Sequence, residues 1–162
     1  MTEHTLDPRI IQFCERLEEL TTGERAQLRR ASGRTMAEAR DTLALFYRLL
    51  SPGVPKRHES LYFVVATLFP LTPQADSGNL GQALRSARTD HNERGLDRRM
   101  QVLLDADESQ LPFRLRQAVR MLASNRVGLD WALLLHDLLF WGHGERFVQR
   151  QWARSYFTQT ED

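Results

Sequence analysis

The sequence predicts an all-α protein of about nine short helices in two packed halves. Three observations carry this. Apolar residues recur at three- and four-residue intervals through almost the whole chain. Helix-opening signals precede those runs: Asp7 before Pro8, Thr21 three residues before Glu24, and Pro112 at the start of an apolar stretch. The β-branched and aromatic run Tyr62, Phe63, Val64, Val65 has no alternating partner elsewhere, so a helix is preferred there too.

The elements follow in order. Ile10, Ile11, Cys14, Leu17 and Leu20 form one face of a first helix opened by Asp7 and Pro8. A second opens on the Thr21/Glu24 capping box and stops near Gly33. Residues 35–50 read as a third, with Met36, Leu43, Phe46, Tyr47 and Leu50 as its apolar side, and Ser51, Pro52, Gly53 and Pro55 break it. A fourth covers 59–69 and ends at Pro70. Residues 71–78 are rich in turn formers (Pro73, Asp76, Ser77, Gly78) and are expected to link an N-terminal domain over 1–70 to a C-terminal domain over 79–162. Five helices are expected after the linker, over 79–88, 90–104, 111–123, 130–141 and 145–157. Either half is small, so a shared contact surface is expected.

Composition narrows the function. With 41% apolar and 27% charged residues the 162-residue chain is ordinary for a folded protein, and wholesale disorder is excluded. A net charge of +1 excludes a uniformly basic coat protein and an acidic tail. The single cysteine, Cys14, rules out an internal disulfide, and the polar, acidic start lacks a signal peptide's apolar segment; a cytoplasmic protein is expected. The most apolar window, 129–141, carries Asp130, His136 and Asp137 and is too short for a membrane span.

The 22 basic residues are unusual: Lys56 is the single lysine and the rest are arginine. Arginine presents a planar fork of donors suited to phosphate. Seventeen of the 22 fall in two blocks, 24–57 and 85–126, one in each half. Within them Arg25 and Arg29, Arg30 and Arg34, Arg94 and Arg98, and Arg116 and Arg120 are each four residues apart, and Arg146, Arg150 and Arg154 repeat that spacing near the end. Like charges so placed repel by a few tenths of a kcal/mol per pair. An external polyanion relieves that repulsion; intramolecular partners such as Glu93 and Asp97 would also do so.

Catalytic and metal signatures are missing. Gly78 and Gly81 precede a helix but lack the lysine and hydroxyl of a nucleotide loop. His136 and His143 are seven residues apart, with His143 in a glycine-rich turn, which is not ligand spacing. Asp137 lies on an apolar helix and is expected to answer an arginine. Cys14 reads as a buried thiol, and Trp131, Trp141 and Trp152 as core. No cofactor, metal or catalytic role is expected.

A succession of segments resembles one family. These are Phe13 to Leu20, Gly23 to Ala31 with its Arg-Arg-Ala ending, Asn79 to Leu84, Leu96 to Leu104, Leu115 to Leu122, Leu129 to Leu138, Trp141, and Gln151 to Phe157. In that order, over nearly the whole chain, they resemble the CasB family, the small subunit of the type I-E CRISPR surveillance complex called Cascade. The loop at 51–58 and the tail after Phe157 have no counterpart in the pattern. The resemblance implies an all-α, non-catalytic subunit of two helical domains. It implies as partners the other Cascade subunits, a second copy of the chain, guide RNA, and target and displaced DNA strands, with no membrane. Carried onto this chain, Arg29, Arg30, Arg98, Arg99, Arg116 and Arg120 are the first candidates for nucleic-acid backbone contacts. Arg25, Arg34, Arg94, Arg114 and Arg150 form a second set. Three other readings stay open at this point, a free-standing helical DNA-binding regulator built on residues 24–50, an all-α enzyme using His136 and Asp137, and a protein adaptor.

Overall fold

In the computed structural model, which describes residues 6–75 and 78–158, the chain is helical throughout. Helix α1 (Pro8–Glu18) starts where Asp7 accepts the backbone N–H of Arg9. Helix α2 (Thr22–Arg30) carries the reciprocal Thr21/Glu24 capping box. The third helix is shorter than its apolar pattern suggests: α3 is Leu43–Leu49, preceded by a 3-10 turn at Arg40–Thr42. Residues 35–39 start a helical turn of their own, with Glu38 accepting from the Thr35 N–H, but Ala39 leaves helical geometry at φ −110° and ψ 57° and ends it.

Helix α4 (Glu59–Leu68) is buried from Leu61 to Leu68 on every side, which explains why its sequence has no polar face. It packs against α2 and against two later helices, α7 (Leu111–Ser124) and α8 (Trp131–Leu139). Removing one of its side chains from water contributes on the order of 1.5–3 kcal/mol for a residue such as Phe63 or Leu68. Phe13 of α1 and Phe46 of α3 meet edge-on, and Phe46 meets Phe63 in the same way, so three helices share one aromatic seam.

The second half opens with α5 (Leu80–Ala87), set by an Asn79/Gln82 capping box. Helix α6 is Glu93–Asp105, starting three residues later than the expected 90, and reciprocal hydrogen bonds between Thr89 and Asn92 hold a turn ahead of it. An Asp107/Gln110 box shapes the 3-10 turn leading into α7. Asp130 caps α8, which ends at Leu139, and α9 is Phe147–Phe157. Helices α5 and α9 pack closely because Gly81 lies against the Trp152 backbone, where a Cβ would collide with its carbonyl.

One apolar cluster runs through both halves, from Ile10 and Phe63 to Leu115 and Tyr156. Helix α8 contacts α1 and α4. The chain between α4 and α5 is tied down in its described part: Leu129 N–H donates to Pro73 O, Ala75 N–H to Leu129 O, each at 3.0 Å, and Thr72 Oγ1 to Val127 O at 2.7 Å. Three tryptophans are buried, and each indole N–H is satisfied, Trp131 by Thr72 O, Trp141 by Ala106 O and Trp152 by Asp137 Oδ2. Among the described residues no helix is long and apolar enough to cross a membrane.

Candidate nucleic-acid interface

The arginines divide by what holds them. Arg25 donates to the Glu18 carbonyl at the end of α1, and its guanidinium lies 5.3 Å from the Phe69 ring centre. Arg29, one turn on, donates to Pro70 O at 3.2 Å. Both thereby fix α2 against the segment that follows α4. Arg30 and Arg34 are exposed and make no side-chain hydrogen bond or ion pair with a described residue.

Helix α7 presents the second group. Its buried line is Leu111, Leu115, Ala118, Val119 and Leu122, so the outward face carries Arg116 and Arg120. Arg116 reaches across to the other half. Its Nε donates to Ser32 Oγ at 3.3 Å and its side chain runs over Gly33. Ser32 and Gly33 sit between Arg30 and Arg34, so the structure joins the basic end of α2 to the basic face of α7. Arg120 is exposed with no partner among the described residues, while Arg114 is half-buried beside Gln117.

Helix α6 lies beside α7. All three α6 arginines are exposed, but Arg99 leans toward that neighbour, its Nη1 3.1 Å from Met121 Sδ, whereas Arg94 and Arg98 make no such contact. Arg98 and Arg99 thus point in different directions despite being consecutive. Arg150 is exposed on α9, a helix that packs on α5 and α6; the stripe to which it belongs is broken because Arg146 donates to the Leu104 carbonyl.

Ion pairing is sparse. Among the described residues Arg9 pairs with Asp7 at 2.7 Å, and Arg88 pairs with Glu93 at 2.7 Å and Asp97 at 3.4 Å. The acids expected to serve the α6 stripe are therefore taken by Arg88, whose guanidinium also sits 5.7 Å from the Tyr156 ring centre. Tyr156 donates its hydroxyl to Asp97 at 2.5 Å, and burial pushes its pKa well above the ordinary tyrosine value. Such pairs stiffen the α6–α9 contact and leave Arg94 and Arg98 without a carboxylate among the described residues.

Other chemistry is limited. Burial pushes the Cys14 thiol up to about 12, the opposite of what a nucleophile needs. No cluster of three or more potential metal-ligating side chains occurs among the described residues. Asp137, expected to answer an arginine, accepts the Trp152 indole at 2.9 Å. One residue outside the arginine pattern stands out here. Phe113, on the first turn of α7, is 53% exposed among the arginines.

Residues 24–157 match the protein family described as CRISPR-associated protein Cse2. A curated protein of that name from Thermus thermophilus is 38% identical over 98 residues. That match spans 59% of this chain and only 55% of the relative. The crystal structure of a Cse2-family protein from Thermus thermophilus superposes with a TM-score of 0.79 at 30% identity, covering 93% of this chain and 97% of that one. A chain in a structure described as a CRISPR RNA-guided surveillance complex superposes with a TM-score of 0.77 at 25% identity, covering 91% of each.

Proposed function

Because this chain belongs to the family of CRISPR-associated protein Cse2, we propose that it is a non-catalytic subunit of an RNA-guided surveillance complex of the type I-E Cascade kind. In this reading it grips nucleic-acid backbone without reading sequence. The similarity to a chain of a CRISPR RNA-guided surveillance complex supports the assembly. The observation that supports the chemistry is that Arg30, Arg34, Arg94, Arg98 and Arg120 make no direct ion pair among the described residues, Arg34 only lending its charge to nearby Glu38. They are exposed on both halves, and the Arg116–Ser32 contact connects them.

The mechanism rests on division of labour. Pairing between guide RNA and target strand reads sequence, while protein contacts read backbone and shape. Exchange of the DNA duplex for an RNA–DNA heteroduplex is close to energetic balance, so a few phosphate contacts shift it. A net charge of +1 keeps the chain from coating any polyanion at cellular salt; the arginine face acts once neighbouring subunits set its position. The partners in this reading are the other Cascade subunits, a second copy of the chain, guide RNA, and both DNA strands, in the cytoplasm.

Co-expression with the remaining complex subunits and a guide RNA tests the proposal. The chain should enter a ribonucleoprotein particle in stoichiometric amount. Arg30→Ala, Arg98→Ala and Arg120→Ala together should leave entry intact while weakening target-strand capture. Exclusion from the particle, or tight binding of the isolated chain to one operator sequence, would overturn it in favour of a free-standing regulator. Loss of subunit contacts in the triple variant with unchanged nucleic-acid affinity would instead favour the adaptor.

A further inference from the structure

We propose that Phe113 is a stacking platform for an unpaired base, so that the α7 face selects single-stranded over duplex nucleic acid. This rests on the backbone-gripping reading above and adds to it a base contact and a strand preference.

The exposed aromatic side chains differ in what surrounds them. Tyr47 packs on Phe46 and donates its hydroxyl to the acidic Glu59. Phe140 lies between the His136 and Phe147 rings, at 5.1 and 5.6 Å. Phe157 packs edge-on against Tyr156 at 4.6 Å. Phe113 has no ring contact with another described aromatic residue. Its neighbour is the Arg114 guanidinium, 5.3 Å from the ring centre, and it is the most exposed of the large apolar side chains among the described residues. A phenyl group half open to water beside a cation, with no aromatic packing, is an unused apolar surface.

Helical phase places it among phosphate-binding groups. Arg116 and Arg120 follow Phe113 by three and seven residues, so all three rise on one outward ridge, opposite Leu115 and Leu122. Arg116 is anchored by Ser32 and Arg114 by Gln117, which presets the flank of the ring, while Arg120 remains available. A ring beside a row of guanidinium groups is the arrangement that binds single strands, because the cations track the backbone and the aromatic face takes a base of any identity. A paired, stacked base in a duplex cannot offer its face to the ring. Charge complementarity favours a nucleic acid over an apolar protein partner, since no carboxylate among the described residues pairs with these arginines.

The test uses the full chain at low ionic strength and two probes of equal charge, an oligothymidylate of roughly twenty nucleotides and an abasic oligomer with the same number of phosphates. The wild type should prefer the oligothymidylate. Phe113→Ala should lose about tenfold in affinity for it, little for the abasic oligomer and little for a duplex, and Phe113→Trp should keep the preference. Arg120→Ala should weaken both single strands alike. Equal losses on both probes in Phe113→Ala, or no loss on either together with poorer entry into the particle, would overturn the stacking role. Failure of the wild type to bind either probe, both as the free chain and within the assembled particle, would overturn the backbone reading beneath it as well.

Discussion

The Arg116 guanidinium donates to the Ser32 hydroxyl at 3.3 Å, although 84 positions separate the two residues in the chain. This hydrogen bond converts two arginine-rich segments, each ordinary on its own helix, into one surface. Gly33 makes room for it, since a Cβ there would lie 2.5 Å from Arg116 Cδ.

Gly33→Ala should therefore destabilise in two separable ways. Its φ of +81° costs a side chain about 1–2 kcal/mol, and the new methyl displaces Arg116. A double-mutant cycle with Arg116→Ala, read by urea unfolding, should show coupling between the sites, because removing Arg116 relieves the collision but not the backbone strain. Strict additivity would mean that the side chain moves aside without cost.

Loss of an outward arginine should change binding without changing the fold. Arg98→Ala and Arg120→Ala are expected to leave the urea midpoint in place. Each should reduce the slope of log affinity against log salt by about 0.7–0.9 for every phosphate no longer neutralised. Arg25→Ala should do the reverse and lower the midpoint, since that guanidinium closes the end of α1 and covers Phe69. Titration of binding at several salt concentrations, beside unfolding curves, separates the two classes.

The α5–α9 packing should be intolerant of the smallest side chain. Gly81→Ala places a methyl group against the Trp152 carbonyl, and neither helix backbone can yield cheaply. A loss of about 1–3 kcal/mol in urea unfolding is expected. By contrast Gly95→Ala, on α6 with open space around it, should be neutral or slightly stabilising.

Stability should decline in alkali. Cys14 and Tyr62 are each pushed up to about 12 by burial, from ordinary values of 9.0 and 10.0, and Tyr156 is raised as well. The folded chain holds protons that the unfolded chain releases, so this stabilisation is complete below about pH 9 and disappears as pH rises toward 12. Asp7, Glu24 and Glu38, held below the usual carboxylate range by hydrogen bonds to neighbouring groups, act in the opposite sense, contributing above pH 4.5 and weakening as pH falls. Urea midpoints across the alkaline range check the first trend, and a Cys14 thiol that reacts with a thiol reagent only after unfolding checks its cause.

Much of this architecture is legible in the amino-acid order because it is written in local rules. Asp7, the Thr21/Glu24 box and Pro112 mark helix starts by acting on their own neighbours, and the structure puts helices there. The third helix misleads because Met36 continues the apolar spacing of Leu43 and Phe46, while Ala39, carrying no signal of its own, breaks the backbone. At α6 the Thr89–Asn92 hydrogen bonds hold a turn where the apolar spacing already suggests helix, so the helix begins at Glu93 and not at 90. The arginine stripes are visible as spacing, but spacing does not reveal that Arg25 and Arg88 meet the Phe69 and Tyr156 rings, or Arg146 the Leu104 carbonyl, far along the chain. Phe113 is hidden by its setting between Pro112 and Leu115, where an aromatic reads as core. Only its phase, shared with Arg116 and Arg120 rather than with Leu115 and Leu122, separates it from the interior.

The inward placement of all three indoles has a practical consequence for optical work. Intrinsic emission from this chain is dominated by Trp131, Trp141 and Trp152, each sealed in the interior with its N–H donated to another part of the fold. Their signal reports whether the core is intact and is insensitive to what settles on the arginine ridge. A tryptophan introduced at position 113 would be the one water-facing indole among the described residues, red-shifted from the rest, and its quenching would be a direct optical record of a base arriving at α7.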